Sequence, residues 1–304
     1  MSIATSRSPW QPGRWGLWQP DRLWLYARLA RLDRPAGALL LLWPTLWALW
    51  IAAEGAPSLH LLAVFVAGVF LTRSAGCVIN DYADRDFDGR VERTRHRPLA
   101  TGEAQPGDAF LLAAVLLGIA FALVLSTNRL TILLAFVAIP LAAVYPFAKR
   151  FTYIPQFFLG LAFSWGIPMA FAAQTGAVPR SAWLLYLANI VWTLVYDSIY
   201  AMVDRDDDLR IGIKSTAILF GEADRAIIGF MQLMFIAIMA IVGRQLQFHD
   251  YYYLALLLAA ALFIYHQYLM RQRDRLDCLR AFRSNNWVGA VILAGIVICY
   301  GLPA

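Results

Sequence analysis

The chain has little charge. Asp, Glu, Lys and Arg make up 15% of its 304 residues, against 60% hydrophobic ones. Ordinary soluble domains carry about a quarter of their residues charged, so this composition excludes that class and indicates a polytopic membrane protein. Cysteine is also scarce. Cys77, Cys278 and Cys299 lie far apart with no C-x-x-C spacing, which excludes a disulfide framework and a zinc site. His60, His96, His249 and His266 share no ligand spacing, and Glu92 to His96 is loop rather than a zinc motif. Residues 1–36 lack the continuous apolar core of a signal peptide. Instead Trp15, Trp18, Leu23, Trp24, Leu25, Leu29 and Leu32 interleave with arginines, which suits a segment lying at a membrane surface. Serine and arginine with few acids before Asp21 are also compatible with an organelle presequence; a bacterial inner membrane is the location expected here. Residues 1–24 are read as an interfacial or disordered extension and 25–304 as the membrane domain.

Long apolar runs are abundant. They fall at about 37–53, 61–79, 108–126, 130–147, 154–173, 182–203, 225–243, 251–269 and 287–302, each close to the ~20 residues that span a bilayer. Turn residues join them, as in Glu54-Gly-Ala-Pro and Thr175-Gly-Ala-Val-Pro. Nine spans with the N-terminus inside leave only Arg129, Arg180 and Arg244 in outer loops. The arginines of residues 7–34, 85–97 and 271–283, with Lys149, Arg150, Arg205, Arg210 and Lys214, then all lie inside. That asymmetry places the N-terminus in the cytoplasm.

Two acidic stretches interrupt this pattern, each at the end of an apolar run. In Asn80–Pro98, Asp81, Asp84 and Asp88 fall at i, i+3 and i+7, one face of a continuing helix. Arg85, Arg90, Arg93, Arg95 and Arg97 surround the off-face Asp86. In Asp197–Ser215, Asp197, Asp204 and Asp208 again share a side, with Asp207 beside them and Arg205, Arg210 and Lys214 following. Carboxylates at a membrane helix mouth are costly without positive partners. Mg²⁺ is commonly bound by a few carboxylates together with substrate phosphate oxygens, so two facing clusters with basic residues between them suit a metal-bridged diphosphate. Both clusters fall on the cytoplasmic side, around a central cavity opening there.

The first stretch reads N-D-x-x-D-x-x-x-D. The second reads Y-D-x-x-Y-A-x-x-D-x-x-D-D-x-x-x-G-x-K-S, from Tyr196 to Ser215. R-P-x-G-x-x-L-L-x-W-P from Arg34 to Pro44 and Y-P-F-A-K-R-F-T from Tyr145 to Thr152 accompany them. From about residue 25 onward the chain closely resembles the UbiA superfamily of intramembrane prenyltransferases, and within it the 4-hydroxybenzoate polyprenyltransferases of ubiquinone biosynthesis. The resemblance implies an all-α fold of nine transmembrane helices around a cavity with a lateral opening to lipid. It also implies Mg²⁺-dependent transfer of a polyprenyl group from polyprenyl diphosphate to carbon 3 of 4-hydroxybenzoate.

On this reading Asn80, Asp84, Asp88, Asp204 and Asp208 hold the metal. Lys214, with Arg90 and Arg97 as loop candidates, cradles the diphosphate. Arg150 matches the family position for the acceptor's carboxylate. Tyr145, Phe147, Tyr153, Tyr196 and Tyr200 are candidates to face the allylic cation, Tyr200 also as a substrate contact. Asp204 is a further candidate, as acceptor of the phenolic proton. Arg73, inside an apolar run, is expected to pair with a carboxylate. Substrates and membrane lipid are the partners expected, and nucleic acid is not. A cation-coupled transporter would explain intramembrane acids, but not two clusters on one face beside Gly-x-Lys-Ser. Other acceptors, such as homogentisate, dihydroxynaphthoate or haem, are the nearer alternatives. A CDP-alcohol phosphotransferase would need a D-G-x-x-A-R spacing that is not present.

Overall fold

The computed structural model of the chain describes residues 20–301, apart from the side chains of Pro20, Asp21 and Lys149. The reading of residues 1–19 as an extension, and Lys149 as an inner-side charge, lie outside the described residues. All regular structure among them is helical. In chain order the helices are α1 (Pro20–Leu29), α2 (Ala36–Ala52), α3 (Leu59–Asp88), α4 (Pro98–Thr101), α5 (Pro106–Leu125), α6 (Arg129–Phe151) and α7 (Pro155–Ser164). They continue as α8 (Gly166–Thr175), α9 (Arg180–Ile211), α10 (Thr216–Phe220), α11 (Asp224–Gln245), α12 (Asp250–Leu269) and α13 (Arg275–Gly301).

Eight helical segments of the described chain are long and apolar enough to cross a membrane by length and composition. The first apolar run folds as α2, a shorter apolar helix of 17 residues with Pro44 inside it. The run at 154–173 is one span in hydropathy but two helices in space, breaking at Trp165. There a Cβ on Gly166 would sit 2.9 Å from the Thr45 hydroxyl, so α8 approaches α2 more closely than a side chain permits.

Local chemistry sets the helix ends. Ser58 caps α3 by accepting from the Leu61 N–H, and Asn128 caps α6 by accepting from Thr131. Pro106 opens α5 behind a reciprocal Gln105–Asp108 box. Gly212, at φ 75°, closes α9 and returns its N–H to the Asp208 carbonyl. Length matters for the site. At about 1.5 Å per residue, the 30 residues of α3 and the 32 of α9 outrun a ~30 Å hydrocarbon core. Their last turns, which carry the acids, therefore emerge from the apolar layer.

Close helix packing, rather than water exclusion, is the main attraction between helices in lipid. The rings of Trp47, Trp192 and Phe235 stack, with Trp47 to Trp192 centroids 5.3 Å apart. Each buried indole finds an acceptor: Trp47 donates to the Gly289 carbonyl and Trp192 to Asn285 Oδ1. Gly289 and Gly295 let α13 close on α2 and α12, since an added Cβ would overlap the Trp43 ring at the first and lie 2.6 Å from Ala255 Cβ at the second.

Candidate active site

The acidic face read on α3 forms as expected. Asp81, Asp84 and Asp88 are 1%, 2% and 6% exposed, whereas Asp86 and Arg85 point to the exterior. Burial of three carboxylates on one face requires cations, and the loop after α3 supplies them. Val91 is buried and the Thr94 hydroxyl donates to the Asp88 carbonyl at 2.8 Å, so residues 89–97 fold back under the helix end. Arg97 then reaches Asp81 at 2.9 Å and Asp88 at 2.8 Å. Arg31, between α1 and α2, adds contacts of 2.6 and 2.9 Å to Asp81. Asn80 donates its amide to Asp84 at 3.1 Å.

The second face behaves similarly. Asp204 is 8% exposed, and the Arg93 guanidinium grips both of its oxygens: Nε at 3.0 Å to each, and Nη2 at 2.5 Å to Oδ2. The same guanidinium lies over the Tyr200 ring, 4.5 Å from its centroid. Burial works against the Arg93 charge, but Tyr200 and the Asp204 carboxylate outweigh it and raise its pKa, so it remains a cation. Asp207 turns away, toward Arg275 at 3.3 Å and Arg210 at 3.9 Å. Asp208, the next residue, lines the cavity instead, since i and i+1 on a helix do not face the same way.

Both faces look into one cavity of about 1280 Å³, lined by Asn80, Asp81, Asp84, Asp88, Asp197, Asp204, Asp208, Arg93, Arg97 and Lys214. Below them it is walled by Tyr145, Phe147, Phe163, Tyr196, Tyr200 and Phe282. Ligand pockets usually measure about 300–1,000 Å³, so this one has room for two substrates. Lys214 reaches the Phe151 carbonyl at 3.4 Å and lies over Tyr153.

Two candidates lie elsewhere. Arg90 is exposed and does not line the cavity. Arg150 is also outside the lining: it donates to the Ala83 carbonyl at 2.9 Å, with the Phe87 and Phe147 rings against its guanidinium. Arg73 differs from expectation in another way. It faces the cavity and, among the described residues, has no carboxylate within ion-pair distance. It rests over the Phe163 ring at 5.4 Å and against Gly37, whose Cβ position would be 2.8 Å from Nη2. The carboxylate it interacts with is the buried Asp197, which lines the same cavity, so the expected pairing acts across the cavity rather than as a direct ion pair.

Among the described residues no three Asp, Glu, His or Cys converge tightly enough to hold an ion by themselves. Arg31, Arg93 and Arg97 stand among the acids instead. The available ligands are carboxylate and amide oxygens, the hard donor set that Mg²⁺ takes together with phosphate oxygens.

The fold is thus a helical membrane bundle whose two buried carboxylate faces open into one aromatic-lined cavity. The profile of the UbiA prenyltransferase family matches residues 41–290. The 4-hydroxybenzoate octaprenyltransferase of Aeromonas hydrophila is 60% identical over 275 residues, covering 90% of this chain and 96% of that one. That of Alkalilimnicola ehrlichii is 58% identical over 278 residues, covering 91% and 95%. Among solved structures, the apo UbiA homolog from Aeropyrum pernix superposes with a TM-score of 0.76 at 26% identity, over 87% of this chain and 98% of that one. A UbiA homolog from Archaeoglobus fulgidus bound to GPP and Mg²⁺ shares the fold, with a TM-score of 0.69 at 19% identity, over 91% and 100%. The chain belongs to the UbiA prenyltransferase family.

Proposed function

We propose that this protein transfers a polyprenyl group from its diphosphate to carbon 3 of 4-hydroxybenzoate, a Mg²⁺-dependent step of ubiquinone biosynthesis. The observation that carries this reading is the single cavity into which both acidic faces open, above an aromatic chamber. The octaprenyltransferase relatives at 54–60% identity support the acceptor, and the Archaeoglobus homolog holding GPP and Mg²⁺ supports the metal. The distribution of arginine and lysine supports a bacterial inner membrane, with the N-terminus and the cavity mouth facing the cytoplasm.

Asn80, Asp84, Asp88, Asp204 and Asp208 are the residues that would hold the metal. Bound there, Mg²⁺ supplies charge that neutralises the departing diphosphate. Lys214 and Arg97, which line the cavity, contribute donors to the same oxygens. As the allylic C–O bond breaks, the electron pair leaves with the diphosphate and the prenyl carbon becomes cationic. Tyr145, Tyr196, Tyr200 and Phe147 enclose that position, offer ring faces to the cation and keep water away. The phenol ring attacks ortho to its hydroxyl, the new C–C bond forms, and the ring carbon gives its proton to the departed diphosphate.

The acceptor's carboxylate needs a cation inside the chamber. Arg73 is the guanidinium placed for it, facing the cavity without an ion pair among the described residues. Arg150, the family's position for that role, braces the end of α3 through the Ala83 carbonyl.

Replacing Asp84 or Asp204 by Ala removes a metal ligand from one face at a time. Each variant should lose prenyl transfer, about 10³-fold or more given the several kcal/mol that a metal supplies, while still purifying as a folded protein in detergent. Full activity in either variant would sink the metal-site reading.

A further inference from the structure

Arg93 leaves Asp204 at most one free lone-pair direction for a metal. A carboxylate offers about four lone-pair directions, and Arg93 occupies three of them from two nitrogens. The arginine is itself placed by independent contacts. Its guanidinium lies on the Tyr200 ring, one turn before Asp204 on α9. The loop that carries it is pinned on either side by buried Val91 and by Thr94 bonded to Asp88. Its neighbours Glu92, Arg95 and His96 are exposed, so the Arg93 side chain can swing without unpacking the loop. The first cluster has a matching arrangement, with Arg97 bridging Asp81 and Asp88.

We propose that Arg93 is an internal counter-ion that competes with the divalent metal for Asp204, and that it yields this carboxylate only when a diphosphate offers it a stronger anion. This rests on the metal-dependent reading of the cavity above. The buried acid is compensated at every stage: by Arg93 before substrate arrives, and by the metal afterwards. The freed guanidinium turns to the diphosphate, whose oxygens accept its fork as readily as a carboxylate's do. Metal and diphosphate binding are therefore coupled, and coupling is reciprocal: each tightens the other by the same factor. The metal then binds weakly until prenyl diphosphate is present, which protects the cavity from holding a bare ion.

The test is Mn²⁺ affinity, read by electron paramagnetic resonance on purified full-length protein without diphosphate. Arg93→Gln should bind Mn²⁺ about tenfold more tightly than the parent, the factor that 1.4 kcal/mol represents. Its KM for geranyl diphosphate should rise, because the released arginine no longer meets the substrate. Arg95→Gln removes the same charge from the exposed side of the loop, where Arg95 pairs with Glu92, and should change Mn²⁺ affinity less than about twofold, as surface charges do. Should Arg93→Gln not fold, Arg93→Lys keeps the charge without the fork and should show a smaller tightening. In an Asp204→Asn background the Arg93 substitution should add nothing. Unchanged or weaker Mn²⁺ binding in the Arg93 variants, or an equal gain in Arg95→Gln, would overturn the proposal. If that happens while the parent protein forms prenylated product with Mg²⁺, only the competition is wrong. Absence of any Mg²⁺-dependent product from the parent removes the functional reading as well.

Discussion

Arg73→Gln is the substitution that separates recognition of the acceptor from the rest of the chemistry. The residue faces the cavity from α3, rests over Phe163 at 5.4 Å and has no ion-pair partner among the described residues, so its donors are available to a ligand. A hydrogen bond to a charged group is worth about 1.5–3 kcal/mol net. Losing a two-pronged contact to a carboxylate in this enclosed site should cost about 3 kcal/mol, or roughly 150-fold in kcat/KM. Gln preserves much of the side chain's volume, so the cavity wall survives. The assay compares 4-hydroxybenzoate with its neutral amide in the parent and the variant, at saturating prenyl diphosphate and Mg²⁺. The loss should fall on the acid, while the amide changes less than about fivefold, since only a neutral hydrogen bond is lost there. The KM for prenyl diphosphate should not move. Equal losses for acid and amide, or a raised KM for the diphosphate, would refute the assignment and return the carboxylate to Arg150.

Two further predictions concern stability. Gly289→Ala places a methyl group where it overlaps Cδ1 of the Trp43 ring. Overpacking of this kind costs about 1–3 kcal/mol, so the melting temperature in detergent should fall; an unchanged value would contradict the close approach of α13 to α2. Asp224 is fully buried at the start of α11, bonded twice by Arg273 at 2.9 Å and approached by Arg205 at 3.8 Å. Asp224→Asn should lower stability by roughly 2 kcal/mol, below the range for a fully buried pair because Arg273 is partly exposed. Thermal unfolding measures it, and no loss would mean that these contacts do not tie α9, α11 and the α12–α13 connection together.

The acidic faces were legible because helix periodicity and burial act locally. Spacings of i, i+3 and i+7 on α3 give the same face wherever the helix sits, and the apolar runs before them are long enough to identify as spans. The burial of Asp81, Asp84, Asp88 and Asp204 follows that pattern. What the arginines do was not legible. Arg85, Arg90, Arg93, Arg95 and Arg97 are equivalent as a string, and only the folding back of residues 89–97 separates them. That fold depends on Val91 burying itself and Thr94 finding the Asp88 carbonyl, neither of which has a periodic signature. The contact of Arg31 with Asp81 joins residues 50 positions apart, beyond any local pattern. Hydropathy places Arg73 inside an apolar run but cannot distinguish a lipid-facing position from a cavity wall. The break at Trp165 did carry a local signal, because Pro168 has no N–H to bond the Ser164 carbonyl four residues back. Only one of Asp207 and Asp208 could join the cavity face, because adjacent helical residues do not point the same way, but the partner of Asp207, Arg275, lies on another helix beyond any local pattern.

The most direct test of the account is product formation by purified membranes containing this protein, given 4-hydroxybenzoate and a long-chain prenyl diphosphate, with Mg²⁺ or with EDTA. Mass spectrometry and fragmentation should show one prenyl group on the ring carbon ortho to the hydroxyl, formed with Mg²⁺ and absent with EDTA. Prenylated product of equal yield in EDTA would contradict the role given to the two carboxylate faces. No prenylated 4-hydroxybenzoate from intact protein would contradict the acceptor assignment.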